Sequence, residues 1–434
     1  MHSSWYFWTA VGVFACAYAL IVSEKVHRTV VALTGASVLL VLRILPQNEA
    51  FAAVDWNVIF LLASMMIIIN IMVRTGVFEW IAIQTVHVAK GRPFLIMVFM
   101  SLVTAVISAF LDNVTTVLLI APVTVFVAKE LRISPIPFLI TEAIASNIGG
   151  TATLIGDPPN IMIGSATGLG FNQFIINLTP VIALVFVFYV LTLKFMFAKS
   201  LHVDPNRLQA VMAMVPSQSL KDRPLLIKSC VVMVLVVAGF FLHETFHLEP
   251  AMIALAGAAV LLLITKAKPH DVLREVEWPT LFFFVGLFIL VEGLVKVGAI
   301  AKLTEEVLKL TKGNLHATTM VILWFSAFFS AIVDNIPYVA TMIPLVKGMI
   351  PSMASSLQVH HGMISGPLWW ALSLGACLGG NGTLVGASAN IVVAGIAEEH
   401  HHPITFRAFF KYGFPLMVES IIICHIYLYL RYFL

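Results

Sequence analysis

Charge is scarce in this chain. Of its 434 residues only 11% are Asp, Glu, Lys or Arg, against roughly 25% in a soluble domain, while 60% are hydrophobic. That balance excludes a soluble multidomain enzyme, and the many apolar runs near twenty residues match the length a helix needs to cross a bilayer. The net charge of +3 is spread over loops with no basic stripe, so nucleic acid is not an expected partner. Cysteine is rarer still. Cys16, Cys230, Cys377 and Cys424 lie far apart inside apolar segments with no C-x-x-C spacing, which argues against a disulfide framework and a thiolate metal site. No G-x-x-x-x-G-K-[ST] loop occurs, so ATP would have to act through a separate ATPase subunit. No Lys or Arg precedes Lys25, so residues 5–22 read as a retained span rather than a cleaved signal peptide.

What the chain does have is a repeat. FLDNVTTVLLIAP (110–122) and SNIGGTATLIGDPPN (146–160) return as AIVDNIPYVATMIP (331–344) and CLGGNGTLVGASAN (377–390). Asp112-Asn113 maps onto Asp334-Asn335 at a shift of 222, as Asp55-Trp56 maps onto Glu277-Trp278. Gly149-Gly150, Thr153, Gly156 and Asn160 map onto Gly379-Gly380, Thr383, Gly386 and Asn390 at a shift of 230, which implies an eight-residue insertion between the blocks. Duplicated apolar segments interrupted by Gly, Asn and Pro at matching places are the sequence pattern of a secondary carrier, with the interruptions at its binding site.

The expected fold is an all-α integral membrane protein of two inverted repeats. Ten crossings are expected, at 5–22, 29–45, 56–73, 135–168 (broken), 174–197, 226–243, 250–266, 279–296, 367–397 (broken) and 413–430. The stretches 94–128 and 316–350 each carry an Asp-Asn in the middle and read as re-entrant hairpins, because irregular backbone at membrane depth must be surrounded by protein or a watery cavity. Five crossings and one hairpin per half force the second half, 225–434, to be inverted relative to the first, 1–198. Lys and Arg crowd the loops on one side, including the linker 199–224, which the positive-inside rule makes cytoplasmic. Lys296, Lys302, Lys309 and Lys312 break the pattern and suggest an interfacial amphipathic helix with Glu305 and Glu306.

Asp112 and Asp334 are each the lone charge in their hairpins. Ionisable groups at that depth are costly and mark function by default, although each Asp would also cap the returning helix arm. In the second block Gly149 and Gly150 permit unwinding and close approach by a ligand, while Asn147, Thr151 and Thr153 supply amide and hydroxyl groups. Asp157 adds a carboxylate, and Pro158 and Pro159 remove backbone donors. Glu142 is a further isolated acid without a counterpart in the second half. A competing motif, His243-Glu244-Thr245-Phe246-His247, matches H-E-x-x-H. Intramembrane zinc proteolysis is its remote reading; a loop where a span ends before Pro250 is the plainer one.

FLDNVTTVLLIAPV and SNIGGTATLIGDPPNIMIGSATG resemble the ArsB/NhaD branch of the ion transporter superfamily, in wording closest to its P-protein-like members. The resemblance implies an elevator-like carrier in the inner (plasma) membrane. By position it assigns the solute to Asn113, Thr115, Thr116, Asn147, Gly149, Gly150, Thr151 and Thr153, and to Asn335, Gly379, Gly380, Asn381 and Thr383. Proton or ion coupling falls to Asp112, Asp334, Glu142 and Asp157. Proton-coupled efflux of arsenite or antimonite is the expected activity, sodium/proton antiport the alternative. The expected partners are that inorganic solute, protons or sodium, the lipid bilayer and a second copy of the chain; no cofactor or metal is expected. Without an Arg in either block, a citrate-like anion fits poorly.

Overall fold

The computed structural model describes residues 4–23, 25–197 and 216–434, and the described residues are helical with no strand. The first half runs α1 (Ser4–Ser23), α2 (Arg28–Val41), α3 (Gln47–Ala52), α4 (Trp56–Val73), α5 (Val77–Val88), α6 (Pro93–Ser108), α7 (Asn113–Leu131), α8 (Ile136–Thr151), α9 (Pro158–Thr167) and α10 (Phe171–Phe197). A short 3-10 turn, Pro216–Ser219, leads into the second half. It runs α11 (Arg223–Phe246), α12 (Pro250–Thr265), α13 (Pro269–Arg274), α14 (Trp278–Lys296), α15 (Ala299–Leu310), α16 (Leu315–Ile332), α17 (Asn335–Leu357), α18 (His361–Gly379), α19 (Ser388–Glu399) and α20 (Phe406–Tyr432). Among the described residues each α-helix has its counterpart, ten for ten, and the repeated sequence is a repeated fold. Most of the expected linker, residues 199–215, lies outside the described residues.

The eight-residue insertion has a plain structural meaning. It lengthens α17 at its end and α18 at its start, so the second hairpin and broken helix reach further from the centre than the first. The two halves are interlocked: α2 packs on α14 and α4 on α12, each helix crossing to the other repeat. The same exchange recurs inside, where α7 packs on α19 and α17 on α9. We call α1, α2, α4, α11, α12 and α14 the frame, and the hairpins with the broken helices the core.

Among the described residues eight helices are long and apolar enough to cross a membrane, the hairpin arms α7 and α16 included. At about 1.5 Å per residue the fourteen residues of α2 cover only about 21 Å of a roughly 30 Å hydrocarbon layer. The hairpin turns do not emerge on a far side. Asp112, Asn113, Asp334 and Asn335 are all buried, which is the arrangement of re-entrant hairpins. The α5/α15 pair divides on expectation. α5 was not anticipated as a helix, because its polar residues hide its apolar face, whereas its twin α15 is the expected amphipathic helix, with Lys302 over the Phe7 ring at 4.0 Å.

Tight core packing explains the glycines. A Cβ on Gly149 would stand 2.0 Å from the carbonyl oxygen of Ala105, and one on Gly379 would stand 2.5 Å from that of Ala327. Both glycines are helical with ordinary negative φ, so they serve the approach of α6 to α8 and of α16 to α18. Gly150 and Gly380 likewise abut the carbonyls of Gly156 and Gly386. The unwinding expected at the first pair is corrected: Gly149 and Gly150 lie within α8, and the Cβ side of each glycine faces packed backbone.

Candidate functional site

The hairpin turns and the helix breaks meet at the middle of the core. Asp112 and Asp334 act first as caps: Asp112 accepts from Thr115 N–H at 2.9 Å and Asp334 from Ile336 N–H at 3.0 Å. Capping fixes the next residue, so that Asn113 and Asn335 open their helices facing inward. Asn113 Nδ2 donates to Asp157 Oδ1 at 3.2 Å, and Asn335 Nδ2 donates to the same carboxylate at 3.3 Å. Two hairpins from opposite halves thus converge on one acid.

Asp157 stands at the N-cap of α9 but makes no cap bond there. Its carboxylate is fully buried and spent on the hairpin asparagines instead. Among the described residues no cationic side chain pairs with it, and the side-chain amides of Asn113 and Asn335 donate to it. Asn147 extends the cluster. Its Oδ1 accepts from Asn113 at 3.1 Å, and its Nδ2 donates to Asn381 Oδ1 at 2.9 Å and Asn390 Oδ1 at 3.2 Å. The other amide nitrogen, Asn381 Nδ2, is buried without a partner. A donor left open at the centre of such a cluster suits an oxygen of a bound solute.

The breaks themselves are held open by a repeated device. Asn160 Nδ2 donates to the carbonyl of Thr153 and Asn390 Nδ2 to that of Thr383, both at 2.9 Å. These bonds satisfy carbonyls that the interrupted helices leave unpaired. The hydroxyls are occupied too. Thr116 and Thr151 donate to carbonyls of their own helices, and Thr153 and Thr383 tie the breaks to Ala109 and Ala331 on the hairpins. These hydroxyls are thus tied to backbone carbonyls, and Thr115 contributes its backbone N–H to Asp112. Glu142 lies apart, accepting from Thr124 Oγ1 at 2.5 Å, with Oε2 buried and unpartnered.

Sequence reasoning missed Arg28. From the start of α2 its guanidinium reaches Asp334 at 3.0 Å, donates to Ser388, which in turn donates to Asp334, and lies 5.2 Å from the centroid of the Phe283 ring. The signal was available: Arg28 maps to Pro250, and Ser388 to Pro158, in otherwise matching sequence. A cavity of about 500 Å³ opens between the α1–α2 corner, the start of α14 and α19, and reaches Val114 and Asp334 on the two hairpins. Burial, reinforced by nearby Asp112, pushes the carboxyl of Glu277 on its wall above the usual range. Its pseudo-symmetric counterpart, about 460 Å³ between the α11–α12 corner and α9, reaches neither hairpin turn. There the H-E-x-x-H residues do packing work. His243 Nε2 accepts the Phe171 N–H at 3.1 Å, and His247 is the left-handed C-cap of α11.

The family described as CitMHS, citrate transporter, matches residues 18–375. An uncharacterised transporter of Mycobacterium tuberculosis is 46% identical over 428 residues, covering 98% of each chain. The 46 kDa membrane protein of Mycobacterium leprae is 46% identical over 427 residues with the same coverage. The human P protein is 34% identical over 495 residues, spanning 95% of this chain and 58% of its own length. Among solved structures, the YdaH transporter of Alcanivorax borkumensis superposes with a TM-score of 0.60 over 98% of this chain and 96% of its own, at 13% identity, a likeness of fold.

Proposed function

The chain belongs to the citrate transporter family and is a multi-pass membrane transporter, and we propose that it moves a small uncharged oxygen acid, arsenite or antimonite, in exchange for protons carried on Asp157. The observation that carries this reading is the buried carboxylate of Asp157 held by an asparagine from each hairpin with no cationic partner among the described residues. An acid in that position exchanges its balance of charge by taking up a proton or a small cation. Around it the free donor of Asn381 and the amides of Asn113, Asn147 and Asn335 suit hydroxyl oxygens. Alternating access follows from the inverted repeats and their two cavities, with the plasma membrane as the site of action.

Sodium/proton antiport is the second reading, favoured by the three aspartates, Asp112, Asp157 and Asp334, gathered at the hairpin turns, since hard cations take oxygen ligands. Citrate, the solute in the family's description, meets a poorer site: Arg28 reaches the core turns, and it is engaged by Asp334. Purified protein in proteoliposomes with an imposed pH gradient decides among the three. Arsenite accumulation that collapses with the gradient supports the proposal; proton movement driven by sodium alone, or citrate uptake alone, replaces it.

A further inference from the structure

The structure ties one hairpin, and not the other, to the frame. At the α1–α2 corner Tyr18 donates to the carbonyl of Pro337, and Arg28 pairs with Asp334 and Ser388. These bonds join frame helices to the first turn of α17. The equivalent corner, α11–α12, carries Phe240 where α1 has Tyr18 and Pro250 where α2 has Arg28. Phe240 is packed on Phe171, and neither side chain can bond to Thr115 or Asp112, the counterparts of Pro337 and Asp334.

In a carrier of inverted repeats, the opposite state arises when the two halves exchange conformations. That exchange would bring the α11–α12 corner against the first hairpin, where Phe240 and Pro250 offer no counterpart to the bonds of Tyr18 and Arg28. We propose that Arg28 is a positioning residue that makes the present conformation, open to the hairpin turns from the α1–α2 side, the resting state of the empty carrier. The inference rests on the alternating-access reading, and it concerns which side is open rather than what is carried. Arg28 is 25% exposed and Asp334 9%, so solvent weakens the pair without abolishing it, and the expected bias is modest.

The test reads access directly. Single cysteines replace Val392 in the larger-reaching cavity and Leu169 in the other, in full-length protein whose Cys16 and Cys230 are alanine. Reaction with a membrane-impermeant maleimide is followed at both positions in proteoliposomes. Arg28→Gln should lower the ratio of Val392 to Leu169 labelling by about two- to fivefold, the range expected of one part-exposed ion pair. Arg28→Lys should restore most of it. Pro250→Arg, which offers Asp112 a guanidinium at the mirrored corner, should also lower the ratio, by stabilising the opposite state. A ratio unmoved by Arg28→Gln in protein that melts as the parent does overturns the proposal. Where Arg28→Gln fails to fold, an unmoved ratio in Pro250→Arg overturns it. Absence of uptake of any tested solute would count against the transport proposal while leaving this ratio measurable.

Discussion

Among the described residues the two halves contribute ten α-helices each, in matched order, and yet they treat their central residues differently. Asp112 is bonded to its own helix, whereas Asp334 is bonded to its own helix, to Ser388 and to Arg28 of the frame. Asn147 has Cys377 as its twin, Thr151 has Asn381, and Asp157 has Ala387. The backbone obeys the duplication because glycine contacts, caps and break-holding asparagines recur. The electrostatics do not, because single-residue departures put one acid and one guanidinium where a symmetric molecule would have two. An inverted repeat therefore supplies two conformations, and its imperfections set their chemistry and relative stability.

The largest effect should come from the central acid whose twin is an alanine. Asp157→Asn keeps the volume and one acceptor but removes the charge on which Asn113 and Asn335 converge. Gradient-driven uptake in proteoliposomes should fall tenfold or more, about 1.4 kcal/mol, and what remains should lose its dependence on pH. Uptake with an unchanged pH profile would move coupling to another acid, with Glu142 the next to examine.

Much of this was legible in the sequence, and the limit is instructive. The duplication, hairpins, breaks and insertion follow from matching words at fixed offsets, and those offsets survive as helix boundaries. The convergence of Asn113, Asn147, Asn335 and Asn381 was also readable, since buried amides in apolar segments need one another. What stayed hidden depends on contacts between distant segments. The mapping of Arg28 onto Pro250 marks a departure from the repeat but does not identify its partner, Asp334, 306 residues away. The glycines misled for the opposite reason: a Gly-Gly pair beside polar residues reads as unwound, yet the same residues permit two helices to touch at backbone distance.

That packing gives a prediction on stability. Gly149→Ala would drive a Cβ to 2.0 Å from a backbone oxygen, and Gly379→Ala to 2.5 Å, with no flexible side chain able to swing away. Both should destabilise the detergent-purified protein by about 1–3 kcal/mol, as overpacking does, with the first variant melting lower. Equal melting temperatures, or a lower value for Gly379→Ala, would show that the second half packs more tightly than its contacts indicate.

The finest test separates the twin aspartates. Asparagine caps helices about as well as aspartate, so Asp112→Asn should shift stability by no more than about 0.5 kcal/mol and leave uptake within about twofold. Asp334→Asn makes the same local change but also removes the partner of Arg28, so it should move the Val392 to Leu169 labelling ratio in the direction of Arg28→Gln. The comparison needs only these two variants, because each Asp is the N-cap of its hairpin's returning helix and accepts one backbone N–H from the first turn. If Asp112→Asn abolishes uptake while its melting temperature holds, Asp112 carries charge for transport as well as capping α7. The hairpins would then be functional equals, and the asymmetry assigned to Arg28 would concern access alone.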